Sequence, residues 1–444
     1  MSVRRSLFWM VLLAGVTTNL RTQDRPPIPI RPTALEEIIL AVPDVQSRTP
    51  ERTAELASAL KTFNQVLWDD LKFSGYFTMA GKSFYPPQAA SRPEDINYEA
   101  WSGLPFKVSF MTFGSLDLSG GVLRAELRVL DMKQRTMAFG QNIQGDADTI
   151  RAIAHRWADE IVYKLTAGAS RGIASTKIAY SSRRGGAKEI YVMDYDGNDQ
   201  RSFTHNGALN LFPVWAADNS KLAFVSNRTG KWEIDLHSYL DGSRLPFPLF
   251  GTFVSTPAIS PDGTQLIYSL RTSRGDTDIF GSKLDGSDRR NVTNHASIDT
   301  SPTWSPSGKQ ISFVSNREGA GQIYVADIDG GNVRRIVKEG GDADSPSWSP
   351  DGRWIAFHWK PRQADSYDIY MAEVSSGKIF QLTSGAGSNE SPSWAPDSRH
   401  LAFQSTRSGS SQIYVMLADR SEVRMVTSQA TNTSPSWGGY VRND

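Results

Sequence analysis

Three stretches of this sequence carry residue types at spacings that chemistry uses. Gly168-Ala169-Ser170-Arg171-Gly172 spells the G-x-S-x-G string, in which a serine on a strand-to-helix elbow attacks an acyl carbon. The flanking elements come in the reverse order here, helical pattern before and strand pattern after, so the string reads as an interdomain linker. Gly81-Lys82-Ser83 resembles the end of a phosphate loop, but Gly75 stands one residue too far upstream for G-x-x-x-x-G-K-S, and a strand-end turn is expected. Asp194-Tyr195-Asp196-Gly197-Asn198-Asp199 has the oxygen spacing that opens a calcium loop, without a glutamate at the twelfth position, and reads as a hairpin turn. The six histidines, at 155, 205, 237, 295, 358 and 400, form no H-x-x-x-H or H-E-x-x-H pair that would point to zinc. With no cysteine in 444 residues, disulfides, iron–sulfur clusters and thiolate zinc sites are excluded. The expectation is no catalytic residue, no metal and no cofactor.

The elements that would position any site are dominated by a repeat. One phrase recurs as Lys177-Ile178-Ala179-Tyr180, Lys221-Leu222-Ala223-Phe224, Gln265-Leu266-Ile267-Tyr268, Gln310-Ile311-Ser312-Phe313, Trp354-Ile355-Ala356-Phe357 and His400-Leu401-Ala402-Phe403. It returns every 44 to 46 residues. A third phrase such as Ile323-Tyr324-Val325 follows each copy, then often an Asp-Gly hairpin signal such as Asp329-Gly330, then a short fourth run. Ahead of the first five copies after 177, and once more at the C-terminus, a proline stands two residues before a large apolar residue: Pro213/Trp215, Pro257/Ile259, Pro302/Trp304, Pro346/Trp348, Pro392/Trp394 and Pro435/Trp437. Four short strands at this period make a six-bladed β-propeller. Because the proline phrase starts and ends one blade late, the C-terminal strand must complete the blade that begins at Lys177, closing the ring.

The first half differs. Arg4 and Arg5 precede the apolar run Leu7 to Val16, which has the layout of a secretory signal with cleavage between Gly15 and Asp24. The expected division is a signal over 1–22, a Pro-rich extended tail over 23–36, an α/β domain over 37–167 and the propeller over 172–444. Within the α/β domain, a strand is expected at Ile38–Val42, a helix from Glu51 to Phe73, strands near Phe106–Phe113, Val122–Leu130 and Met137–Ile143, and a helix from about Asp148 to Leu165. With 48 basic against 47 acidic residues, a mainly electrostatic nucleic-acid binder is a poor reading.

What remains is a surface. The loop entering each inner strand and the loop joining strands two and three emerge on one face of the ring. Arg184, Arg228, Arg317 and Arg407 stand six residues after Ile178, Leu222, Ile311 and Leu401, with Arg271 and Lys360 one position earlier in the other blades. The entering loops on this face hold Phe253 to Thr256, Ile298-Asp299-Thr300, Asp342-Ala343-Asp344 and Asn389-Glu390. The arginines either tie neighbouring blades together through these acids or help to hold a partner. The candidate partner-binding set is Phe253, Thr256, Asp299, Thr300, Asp344, Glu390, Arg228, Arg317 and Arg407.

Leu127-Arg128-Val129-Leu130-Asp131, the run Ile150 to Thr166, Thr176 to Tyr180, and Trp68 to Phe77 together resemble the TolB family of the Tol-Pal system in Gram-negative envelopes. The resemblance covers nearly the whole chain after the signal. It implies a periplasmic, non-enzymatic monomer whose propeller binds the peptidoglycan-associated lipoprotein (Pal) and whose N-terminal region contacts TolA, supporting outer-membrane integrity and division. It carries lipoprotein binding onto Phe253, Thr256 and Thr300. Phe253 stands where some relatives have His, and the Pro-rich tail stands where the family has a short β-prone segment. The rival readings are a propeller that binds a peptide or carbohydrate and one attached to a peptidase. The second would need a hydrolase domain of over 200 residues, and Trp437 stands seven residues from the last residue of the sequence.

Overall fold

The structure, a computed structural model, describes residues 37–49, 53–87, 90–248 and 253–440; the expected signal and Pro-rich tail lie outside the described residues. The N-terminal domain runs β1 (Ile38–Ala41), α1 (Ala54–Phe73), β2 (Phe77–Met79), α2 (Tyr98–Ser102), β3 (Phe110–Ser119), β4 (Val122–Asp131), β5 (Thr136–Asp146) and α3 (Ile150–Leu165). Its sheet has the order β2-β1-β3-β4-β5, with β1 parallel to both neighbours and β3-β4-β5 an antiparallel meander. The Thr53 hydroxyl accepts from the Leu56 N–H at 3.1 Å and so starts α1. Ser74 and the left-handed Gly75, φ +68°, stop it. Helices α1 and α3 pack on the sheet face that carries Leu116, Leu123, Ala125, Leu127 and Val129.

One expected strand moves. Phe106 and Val108 do not enter the ladder but pack with Trp101, Met111 and Phe113 on the other sheet face, so β3 starts at Phe110 and runs on to Ser119. The second long helix begins two residues later than expected, after a 3-10 turn over Ala147–Thr149.

Six four-stranded sheets follow, each antiparallel, and they form the expected propeller. Their inner strands are Asn210–Trp215, Val254–Ile259, Asp299–Trp304, Gly341–Trp348, Asn389–Trp394 and Thr431–Trp437, each beside the next around the ring. The last pairs with Lys177–Arg183, Trp437 opposite Ile178, which is the expected closure. The Trp437 indole donates to the Thr176 hydroxyl at 2.8 Å, and the Asn219 amide reaches the Gly439 carbonyl at 2.7 Å across the seam. The five repeated tryptophans are buried. Trp215 donates to the Ser436 carbonyl and Trp304 to the Ala258 carbonyl of the preceding blade, whereas Trp348 donates within its own blade to the Gly352 carbonyl at 3.2 Å.

The N-terminal domain sits against the propeller face opposite the entering loops. The His400 imidazole is held by Asp397 at 2.7 Å on one nitrogen and by the Phe73 carbonyl at 2.7 Å on the other, and Arg399 donates to the Gly75 carbonyl at 2.8 Å. Arg424 lies 4.2 Å from the Phe73 ring centre. One hydrophobic cluster runs from Leu67 and Trp157 through Tyr195 to Ile413 and Trp437, so the junction is a continuation of both cores.

Candidate partner-binding mouth

Every inner strand has a β-bulge just before its proline phrase. The residue preceding each proline, namely Phe212, Thr256, Ser301, Ser345, Ser391 or Ser434, has a left-handed φ between +45° and +53°. Such a conformation is uncommon outside glycine and unusual for a β-branched residue such as Thr256. A bulge re-aims side chains and is common beside functional sites. Here the six bulges ring the mouth.

Successive strand residues point to opposite sides, and this sorts the expected set. Thr300, Asp344 and Glu390 occupy the same place in successive blades, one residue before the left-handed position, and are half-buried at the mouth. Asp344 accepts from the Ser301 hydroxyl of the preceding blade at 2.8 Å. Glu390 accepts from the Ser388 hydroxyl at 2.5 Å and from the Gln404 amide at 3.1 Å. Asp299 lies one residue earlier and points into its blade, fully buried, where Asn210, Asn389 and Asn432 sit in other blades. The structure therefore takes Asp299 off the mouth surface: its carboxylate is held by the Arg317 guanidinium at 3.3 Å.

The arginines do not tie neighbouring blades together: Arg228, Arg317 and Arg407 each bond within their own blade. Arg228 pairs with Asp235 at 2.8 Å, and Arg407 donates to Asn389 at 2.8 Å. In three blades the guanidinium also lies over a strand-three tyrosine. Arg317 stands 4.8 Å from the Tyr324 ring centre, Arg407 4.7 Å from Tyr414 and Arg184 4.2 Å from Tyr191. These hydrogen bonds lie within the blade.

Two residues of the mouth, Phe212 and His358, were missed. Phe212, Phe253 and Ile298 form an exposed apolar arc over neighbouring blades, 39%, 41% and 51% exposed. Across the ring stands a polar sector of Asp342, Asp344, Glu390 and the buried His358. Burial pushes the His358 imidazole below its ordinary value against the pull of Asp344, Glu390 and Asp342, and its Nδ1 accepts the Ser391 N–H at 3.2 Å. The histidine is thus neutral and committed to a backbone group. Lone histidines without a pairing motif carry no sequence signal for this. The mouth thus sets an apolar shelf across from carboxylates, an arrangement suited to apolar and donor-bearing groups.

The other motifs resolve into structure. Ser170 is buried in the linker between α3 and the first propeller strand, and its hydroxyl accepts the Gly172 N–H at 3.1 Å. Lys82 lies in a 3-10 turn after β2. The Asp194 to Asp199 stretch is a hairpin turn, with the Gly197 N–H on the Asp194 carbonyl at 2.9 Å. It also meets the N-terminal domain: the Tyr195 hydroxyl donates to Asp70 at 2.7 Å, and Asp70 holds His155 at 2.7 Å. His155, Asp194 and Asp196 bring ligand atoms within 4.8 Å of one another, a convergence not anticipated for the histidines. Asp196 is already paired with Arg151, and Asp194 with Lys177, so that geometry serves ion pairs.

The comparisons with known proteins agree with this architecture. The family described as the TolB beta propeller domain matches residues 163–366 and 340–440, and that described as the TolB amino-terminal domain matches 27–138. The Tol-Pal system protein TolB of Desulfosudis oleivorans is 31% identical over 285 residues, 61% of this chain but only 63% of that protein, less than two thirds of its length. The protein of the same name from Anaeromyxobacter dehalogenans is 30% identical over 308 residues, 68% of each chain. The crystal structure of TolB from Acinetobacter baumannii shares the fold, with a TM-score of 0.76 at 23% identity over 91% of this chain and 97% of that one. Two family matches that together take in both domains, and a relative at 30% identity over two thirds of the chain, place this protein in the TolB family.

Proposed function

We propose that this chain is a non-enzymatic, periplasmic scaffold of the Tol-Pal system, holding the peptidoglycan-associated lipoprotein at the propeller mouth and contacting TolA through its N-terminal region. The observation that carries the reading is the division of the two propeller faces. The N-terminal domain is clamped by His400, Arg399 and Arg424 on one face, which leaves the bulge-ringed mouth with its apolar arc and carboxylates open on the other. A mouth whose histidine is committed to a backbone N–H suits holding a partner better than turning over a substrate. The names of the two relatives support the system, and the charged n-region with its apolar run supports export. Among the described residues no helix is long and apolar enough to cross a membrane.

The test is capture of a soluble form of the lipoprotein by the exported chain. Thr300→Arg and Thr256→Arg are expected to abolish capture with unchanged circular dichroism. Unchanged capture by both would move the site off this face. Removal of residues 23–36 is expected to abolish binding of the TolA C-terminal domain and to leave lipoprotein capture intact.

A further inference from the structure

Strand β5 is an outer strand of the N-terminal sheet, with β4 as its neighbour. An outer strand turns alternate N–H and C=O groups outward and so offers a template for another strand; proteins blunt such edges with short strands and charged residues. The propeller does both. Its outer strands are two or three residues long; five of the six contain an arginine, at 201, 244, 290, 334 and 424, and the sixth directly follows Lys378. The other edge of the N-terminal sheet, β2, has three residues. By contrast β5 has eleven, about 37 Å of strand, every one exposed or half-exposed, and Thr136 to Gly145 carry no charged side chain.

The strand is also complementary to itself. A two-fold axis at Gln141, its midpoint, sets Phe139 opposite Ile143 of a second copy on the face that carries α3, where both side chains are only half-covered. Aromatic against β-branched is a favourable cross-strand pair. Gln141 meets Gln141 of the second copy, amide against amide, each able to donate and accept. Gly140 falls opposite Asn142, and Asp146 opposite Thr136, so no like charges face each other. The bulge where the pairing with β4 shifts, beside Phe139, leaves the central run from Phe139 to Ile143 regular.

We propose that β5 is a self-association edge, through which two copies of this chain pair antiparallel and merge their five-stranded sheets, in place of the monomer expected from sequence. The propeller mouths lie on the faces away from the N-terminal domains, so the pair presents two mouths. This inference does not depend on what the mouth binds.

Sedimentation velocity of the exported chain from low to high micromolar concentration is expected to show a concentration-dependent dimer. Gln141→Lys and Gln141→Glu, each placing like charges at the axis, are expected to weaken it roughly tenfold or more. Mixing the two variants should restore the dimer, because only a two-fold pairing brings this residue against itself. Gln141 is exposed, so melting temperatures should match that of the unaltered chain. A monomer at every concentration, a dimer indifferent to either charge, or a mixture that stays monomeric would each overturn the proposal.

Discussion

Single residues at the domain junction carry interactions that no local pattern announces. His155 and Tyr195 stand 85 and 125 positions from Asp70, yet the three form one buried hydrogen-bonded chain from α3 through Asp70 of α1 to the propeller. Burial lowers the His155 imidazole, but the Asp70 charge and hydrogen bond outweigh it and hold the group above its ordinary value. Asp70→Ala removes the shared acceptor and strands two buried donors; a loss of ~3–5 kcal/mol is expected in chemical denaturation. Asp159 works at the linker, accepting the N–H groups of Ala174 and Ser175 at 2.8 Å each. Burial pushes its carboxyl up to about 7 despite those bonds. A raised carboxyl means that the folded chain keeps a proton the unfolded chain has lost, so its contribution to stability is full below the ordinary aspartate value and declines as pH rises to about 7. Stability measured against pH should lose that part of its slope in Asp159→Asn.

Elements were legible to different degrees for one physical reason: periodicity reports burial, not backbone handedness. The blade strands and both long helices follow from apolar spacing. The six left-handed residues before the prolines do not, because Ser, Thr and Phe at those sites carry none of the signal that a glycine would. Strand alternation separates Thr300 from Asp299, one at the mouth and the other inside the blade, and the bulge follows both. Glycines allow a direct comparison. A Cβ at Gly197 would lie 2.2 Å from the Val426 carbonyl oxygen, whereas one at Gly185 would meet nothing within 4 Å, and both have positive φ. Gly185→Ala should cost about 1–2 kcal/mol, the conformational penalty alone. Gly197→Ala should lower the melting temperature distinctly more, because backbone must shift between the closing blade and its neighbour.

At the scale of the whole molecule, the C-terminal strand decides whether there is a ring. Thr431–Trp437 supplies the inner strand of the first blade, and Trp215 bonds to the Ser436 carbonyl across the seam. Ending the chain at Ala430 would bare the Lys177–Arg183 strand in the ring interior. The expected result is an aggregating chain with no cooperative melting transition by calorimetry, although the other five blades keep all their strands. A sharp transition near that of the full chain would show that closure is dispensable. The junction adds a second coupling: because one core runs through both domains, destabilising Asp70 should broaden or lower a shared transition.

The sequence by itself determined the number of blades, the closing strand, the tryptophan that packs between blades and the family resemblance, because each of these repeats at a fixed period or lies in one contiguous run. It also marked Thr300, Asp344 and Glu390, which share one repeat position. Only the tertiary structure decided that Asp299 is buried, that the arginines bond within their own blades, that Phe212 and His358 belong to the mouth, that the N-terminal domain sits on the opposite face, and that β5 has no strand beyond it among the described residues. Those outcomes depend on which side of a strand a residue faces and on what lies across a gap of many residues, and neither is written in local spacing.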